Sequence, residues 1–126
     1  MNLNDRLKDG KLLPLEDKPN NVSTQTDDPK KKLDPLPYRG SKQESKERLK
    51  SILESMDKVV IKNENESMIY AIETSSFFNF KDDIDFQFFD DEQVIHYRSA
   101  SRIGHSDFGV NKKRMETIRE LYMEEI

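Results

Sequence analysis

The chain has 126 residues, 33% of them hydrophobic and 37% charged, with 25 Asp and Glu against 21 Lys and Arg and a formal net charge of −4. That length suits one ordinary domain rather than two, and the acidic balance argues against a nucleic-acid partner, because phosphate backbones call for a basic surface. The absence of cysteine excludes disulfides, thiolate nucleophiles and cysteine-ligated zinc.

Residues 1–15 lack the continuous apolar core of a signal peptide, and no later run approaches the roughly eighteen apolar residues of a membrane span. A soluble, cytoplasmic protein with no transmembrane segment is expected, subject to any export signal or lipid anchor ahead of this sequence. Residues 1–40 hold all five prolines, Pro14, Pro19, Pro29, Pro35 and Pro37, which fix φ and remove backbone donors, so no long helix or central strand can run through them. They read as an extended N-terminal arm. Leu12, Leu13, Val22, Leu33, Leu36 and Tyr38 could hold it to the body as a strap, with residues 33–39 docked and residues 1–10 mobile.

Ser41-Lys-Gln-Glu44 is a capping-box signature, and a helix should follow it to about Met56. Leu49, Ile52, Leu53 and Met56 fall at i, i+3, i+4 and i+7 and form one apolar stripe. Val59–Ile61 and Met68–Thr74 are β-rich runs that read as a hairpin. With Glu64-Asn65 as its tip, Val59, Ile61, Met68, Tyr70 and Ile72 would share a face. Phe77, Phe78 and Phe80 then read as an aromatic plug closing one end of the core. Residues 83–89 alternate, as do residues 93–101 after the turn Asp90-Asp91-Glu92. A tip at Asp91-Glu92 sets Phe88 opposite Ile95, Phe86 opposite Tyr97, Ile84 opposite Ser99, Gln87 opposite His96 and Asp85 opposite Arg98. A last helix runs from Asp107 or Asn111 to Met123, turning Val110, Arg114 or Met115, Ile118, Leu121 and Tyr122 to the sheet, with Ser106, Asp107 or Asn111 as its cap.

The order α-β-β-β-β-α gives an α+β fold: a two-layer sandwich over residues 41–126, with a four-stranded antiparallel sheet, both helices on its apolar face, and the arm of residues 1–40 outside it. No internal repeat or low-complexity tract is present.

The stretch Val94–Arg114 also resembles the signature of the DUF1499 family, "RSASRxGxSDxGxNxxR". Pro19-Asn20-Asn21-Val22-Ser23 is similar to that family's "PNCVSS", Leu36-Pro37-Tyr38 to its "PLPY", and Phe80–Phe86 to its "F-x-DD-x-EF". The resemblance covers roughly residues 12–123 in order. It implies an architecture and a set of marked positions, with no reaction attached. Where that family typically carries two cysteines around the Pro-Asn segment, this chain has Leu15 and Asn21.

The chemistry concentrates at residues 98–114. Arg98, Ser101, Arg102, His105, Asn111 and Arg114, with Asp82 and Asp83 from the neighbouring strand, are the candidate ligand-binding residues. A purely structural account covers part of this set: Arg98 pairs with Asp85, Asp107 caps the helix, Gly104 and Gly109 permit tight backbone, and Ser99 and Ser101 let a helix approach. The leading functional reading is a non-catalytic binding module for a small anion, a carboxylate-bearing ligand or an acidic peptide, held by arginines and helix-start N–H groups. One alternative is a hydrolase-type enzyme using His105, Ser106 and Asp107. Adjacent residues on a turn rarely converge as a triad, however, and no GxSxG elbow is present. The other is a protein-interaction scaffold using the arm. His96 and His105 form no HExxH pattern, so neither a metal nor a cofactor is expected.

Overall fold

The computed structural model describes residues 2–75 and 79–125. After a short 3-10 turn (Leu3–Arg6), the chain forms β1 (Leu7–Lys8), β2 (Lys11–Leu12), β3 (Asn21–Ser23), β4 (Leu36–Pro37), helix α1 (Lys42–Glu54), β5 (Val59–Glu64), β6 (Met68–Thr74), β7 (Lys81–Phe89), β8 (Val94–Ser101) and helix α2 (Val110–Met123). The fold is α+β with two helices, but the sheet has six strands rather than the expected four. The four predicted strands run as the antiparallel meander β5-β6-β7-β8, and β3 and β4 both pair along the outer edge of β8. Two short pieces of the proline-containing arm thus make β8 an interior strand. Pro37, which has no N–H to donate, sits on the edge, where proline is tolerated.

The β7–β8 register is the predicted one: Phe88 faces Ile95, Phe86 faces Tyr97, Ile84 faces Ser99, Gln87 faces His96 and Asp85 faces Arg98. The β5–β6 register departs from expectation. Asn65 N donates to Met68 O at 3.0 Å, which moves the tip beyond Glu64-Asn65, and a bulge between Ile61 and Asn63 inserts one residue. Because side chains alternate with period two, one inserted residue flips the face. Ile61 pairs with Ala71 on the helix side, while Met68, Tyr70 and Ile72 turn the other way.

Both helices lie on the face carrying Ile69, Ala71, Ile84, Phe86, Ile95 and Tyr97. The capping box at α1 is present: Ser41 Oγ accepts from Glu44 N at 3.0 Å, and Glu44 Oε1 accepts from Ser41 N at 2.9 Å. Leu49 and Leu53 are fully buried. From α2, Met115, Ile118 and Tyr122 are buried, but Val110, expected to face the sheet, is exposed because it opens the helix beside a surface cavity. Phe80 is 47% exposed and borders that same cavity instead of plugging the core. Phe77 and Phe78 lie outside the described residues.

The second face of the sheet is covered as well. The segment 3–10, within the stretch 1–10 expected to be mobile, lies against it together with Leu12: Leu3, Leu12, Met68 and Tyr70 form a separate buried cluster with Leu7 and Ile72 at its edge. Asp9 and Gly10 both have positive φ (53° and 77°), the backbone of a tight two-residue hairpin. Further along, the arm is held by side chains of the body. Tyr97 Oη donates to Asp34 O at 2.8 Å, Tyr122 Oη donates to Pro37 O at 2.7 Å, and Leu36 is fully buried in the main core. Truncating Leu36 to alanine is therefore expected to cost about 3 kcal/mol, as for other core leucines. A urea-unfolding midpoint measures it, and an unchanged midpoint would show that the arm lies outside the cooperative unit.

Candidate functional site

Strand alternation divides the predicted site residues between the two faces of the sheet. On the helix side stand Asp82, Ser101, Asn111 and Arg114, joined by Ser99, Glu73 and Asp107. Asp107 sets the start of α2: its carboxylate accepts from Gly109 N (2.8 Å), Asn111 N (3.0 Å) and Asn111 Nδ2 (2.7 Å). Gly109, at φ 81°, occupies the cap position itself and offers no side chain. Burial works against the Asp107 charge, but the N–H groups of Asn111 and Gly109 outweigh it and hold the carboxyl below its ordinary range.

Asn111 is fully buried and joins three segments. Its Nδ2 also donates to Asn20 O (3.0 Å) and Ser101 Oγ (2.9 Å), while its Oδ1 accepts from Ser99 Oγ and Arg114 Nη1, both at 2.6 Å. Arg114, 6% exposed, donates to Glu73 from Nε (2.9 Å) and Nη2 (2.6 Å), to Asp82 from Nη2 (2.5 Å), and to Ser99 Oγ from Nη1 (3.0 Å). Each of its guanidinium nitrogens is engaged. Burial lowers the Arg114 pKa, and Glu73 and Asp82 more than offset that, leaving it raised.

On the opposite face stand Asp83, Arg98 and Arg102, beside Tyr70, Asp85 and Arg6. Arg102 donates to both Asp83 oxygens, and its Nη2 donates to Tyr70 Oη at 3.2 Å, while Tyr70 Oη donates to Asp83 at 2.5 Å. Asp85 is the cross-strand neighbour of Arg98, but the two stand 4.0 Å apart. The tight partner of Asp85 is Arg6, bidentate at 2.8 and 2.7 Å, with its guanidinium 4.5 Å over the Tyr70 ring. Burial pushes the Asp85 carboxyl up, against the pull of Arg6 and Arg98. Arg98 itself donates from Nη2 to Pro14 O at 3.3 Å, and its buried Nε has no hydrogen-bond partner among the described residues.

The β8–α2 turn does not assemble the hydrolase arrangement. His105 is exposed and makes no hydrogen bond among the described residues, Ser106 Oγ accepts from Phe108 N at 3.2 Å, and Asp107 is occupied by the helix start. A hydroxyl–imidazole pair does occur elsewhere: Thr24 Oγ1 lies 2.7 Å from His96 Nδ1, with Glu92 3.6 Å from the other ring nitrogen. Thr24 is buried and its Oγ1 accepts from Tyr97 N at 3.0 Å, so the pair anchors the arm to β8. Among the described residues no group of His, Asp and Glu is placed to hold a metal ion, and no helix is long and apolar enough to cross a membrane.

One surface cavity, about 260 Å³, opens at this corner. Glu73, Asp82, Ser101, Asp107 and Arg114 line its inner wall, and Phe80, Ile103, Phe108 and Val110 border it. A larger cleft of about 680 Å³, between residues 8–15 and 23–28, contains none of the predicted site residues.

A family model described as a protein of unknown function, DUF1499, matches residues 11–121. The chain belongs to the DUF1499 family. Nothing among curated proteins or solved structures matches it. The match takes in β2 to α2, and so includes both polar clusters of this DUF1499 domain except Arg6, which lies ahead of the matched range.

Arg6, Glu73, Asn20 and Thr24 were absent from the sequence-level set. Asp9-Gly10 between Lys8 and Lys11 is the local signal that could have placed Arg6, since a tight hairpin there folds residues 3–12 into a unit able to dock. Glu73 carries no local signal; only the β6–β7 register puts it beside Asp82.

Two outcomes follow. Arg6→Ala leaves Asp85, 1% exposed, with only the distant Arg98, and is expected to destabilise the fold by about 3 kcal/mol; in a double-mutant cycle with Asp85→Asn the two losses should fall well short of adding. Asp107, held below its ordinary value of 3.8, contributes stability above that value that is lost as pH falls through its lower folded-state pKa. Thermal melts of Asp107→Asn should therefore lie below those of the parent protein at neutral pH and converge with them in acid below 3.8. A gap that stays constant across this range would assign the loss to something other than the carboxylate.

Proposed function

We propose that this DUF1499 domain is a non-catalytic binding module whose cavity at residues 98–114 takes a small ligand with an apolar body and a hydrogen-bond-donating, cationic head. The observation that carries this reading is the make-up of the cavity: a border of Phe80, Ile103, Phe108 and Val110 around the three carboxylates of Glu73, Asp82 and Asp107, against two cations, Arg114 and Lys81. Arg114 is already saturated by two carboxylates, so it offers no free donor to an anion. Asp82 and Ser101 line the same cavity, and a carboxylate and a hydroxyl are groups that can receive an ammonium or amide head.

The anion expected from the arginine-rich motif fits less well. Arg102 is held by Asp83 and Arg114 by Glu73 and Asp82, and an incoming carboxylate would have to displace them against like charge. At about 260 Å³ the cavity is just below the usual range of ligand pockets, roughly 300–1,000 Å³, which favours a head group with a few carbons over a bulky molecule.

Thermal denaturation with hexylamine or hexanoate separates these possibilities, since a ligand that binds only the folded state raises the melting temperature. Hexylamine is expected to raise it and hexanoate to leave it unchanged. Asp82→Asn, which retains the Glu73–Arg114 pair, should abolish the hexylamine shift. A shift with hexanoate alone would restore the anion reading, and no shift with either compound would remove this cavity as a binding site for such ligands.

A further inference from the structure

Independently of what the cavity holds, we propose that the surface around its mouth docks onto an anionic lipid membrane. Phe108 is 96% exposed, Ile103 56%, Val110 48% and Phe80 47%, and all four border the one opening. Phe108 is held outward by its backbone. It sits at φ 55°, a region that an aromatic residue seldom adopts, fixed by Phe108 N donating to Ser106 Oγ and Gly109 N donating to Asp107 Oδ1. Scattered exposed apolar residues need no explanation, but a cluster presented from a turn whose hydrogen bonds maintain that backbone does.

The charges around this cluster divide by direction. Glu73 and Asp82 turn inward to Arg114, Asp83 is on Arg102, and Asp107 is taken up by the start of α2. Lys112 and Lys113 stand exposed in the first turn of α2 and make no ion pair among the described residues, and Glu116 in the next turn bridges to neither. Lysines at a helix N-terminus oppose the helix dipole, so their placement brings the helix itself no electrostatic gain. Lys81, also exposed, reaches Thr74 Oγ1 at 3.4 Å and makes no ion pair among the described residues. A chain of net charge −4 thus sets lysines that make no ion pair among the described residues beside an exposed apolar cluster centred on Phe108.

Size selects the occupant. Four side chains offer a fraction of the roughly 800 Å² that each partner contributes to a standard protein interface. Interfacial membrane binding needs only a few apolar groups immersed at the headgroup boundary with lysines near anionic lipid. The surface therefore fits a bilayer better than a second copy of the chain.

Flotation of the full chain with phosphatidylcholine vesicles, and with vesicles containing phosphatidylserine as well, tests this. Binding is expected only with phosphatidylserine present. Phe108→Asn, chosen because asparagine tolerates the left-handed backbone, should weaken it roughly tenfold. The pair Lys112→Glu and Lys113→Glu should weaken it roughly tenfold or more. These positions are exposed, so melting temperatures should match the parent protein, and Asp82→Asn, which empties the cavity of its ligand, should not weaken vesicle binding. The proposal is overturned by absence of binding to either vesicle, or by binding that either set of variants leaves intact. Absence of vesicle binding together with self-association lost in Phe108→Asn would overturn it in favour of contact between copies.

Discussion

Neighbouring residues in a β-strand point to opposite sides of the sheet, and at Asp82-Asp83 this rule shapes the whole molecule. The β7–β8 pairing sets Asp82 against Ser101 on the helix side and Asp83 near Arg102 on the other. What reads in sequence as one dense polar motif becomes two ion clusters separated by the thickness of a sheet. Asp82 joins Glu73 in holding Arg114 of α2, while Asp83 joins Tyr70 in holding Arg102. Each cluster fastens a different covering element: the first docks the last helix, and the second lies beside the Arg6–Asp85 pair that fastens the N-terminal hairpin.

Buried ion pairs are weak contributors to net stability, because removing two charges from water offsets much of their attraction. Their role here is better described as positional. Arg114 and Asn111 can meet Ser99, Ser101, Glu73 and Asp82 in only one placement of α2 along the sheet, because misplacing the helix would leave several buried donors and acceptors unpaired. The hydrophobic face of Met115, Ile118 and Tyr122 supplies the attraction, and the polar corner selects the register. The arm follows the same division of labour. Leu36 and Val22 are buried in the core, while Tyr97, Tyr122 and Arg119 donate to the carbonyls of Asp34, Pro35 and Pro37 and fix where the arm runs.

This explains which parts of the fold were legible in the sequence. The β7–β8 register could be read because strict alternation on both sides of Asp91-Glu92 leaves one arrangement that keeps Phe86 and Tyr97 on one face. The capping box at Ser41 could be read because all of its contacts lie within one turn. The β5–β6 face could not, since a single bulged residue at Lys62 inverts every side chain beyond it and nothing in Lys-Asn-Glu-Asn-Glu-Ser announces it. Strands β3 and β4 are too short to carry a periodic signal and exist only because β8 has an open edge to pair with. The candidate site suffered from the same limit: the motif's composition was visible, but its division between faces depends on register. Where the family resemblance suggests cysteines stand Leu15 and Asn21, and Asn21 Nδ2 donates to Glu16 O at 3.0 Å, a contact that no motif predicts.

A polar residue that serves the fold is one whose hydrogen bonds are met inside it, and by that standard most of the arginine-rich motif is committed. Arg102, Asn111 and Arg114 are engaged by named partners, and Asp107 belongs to the helix start. What the fold leaves unabsorbed at this corner is of another kind: an aromatic ring held outward on a left-handed backbone, apolar neighbours around a small cavity, and lysines on the wrong end of a helix dipole. On the proposed reading, recognition at this end rests on the apolar rim and on lysines that make no ion pair among the described residues, with the arginines as the frame that holds the rim in place.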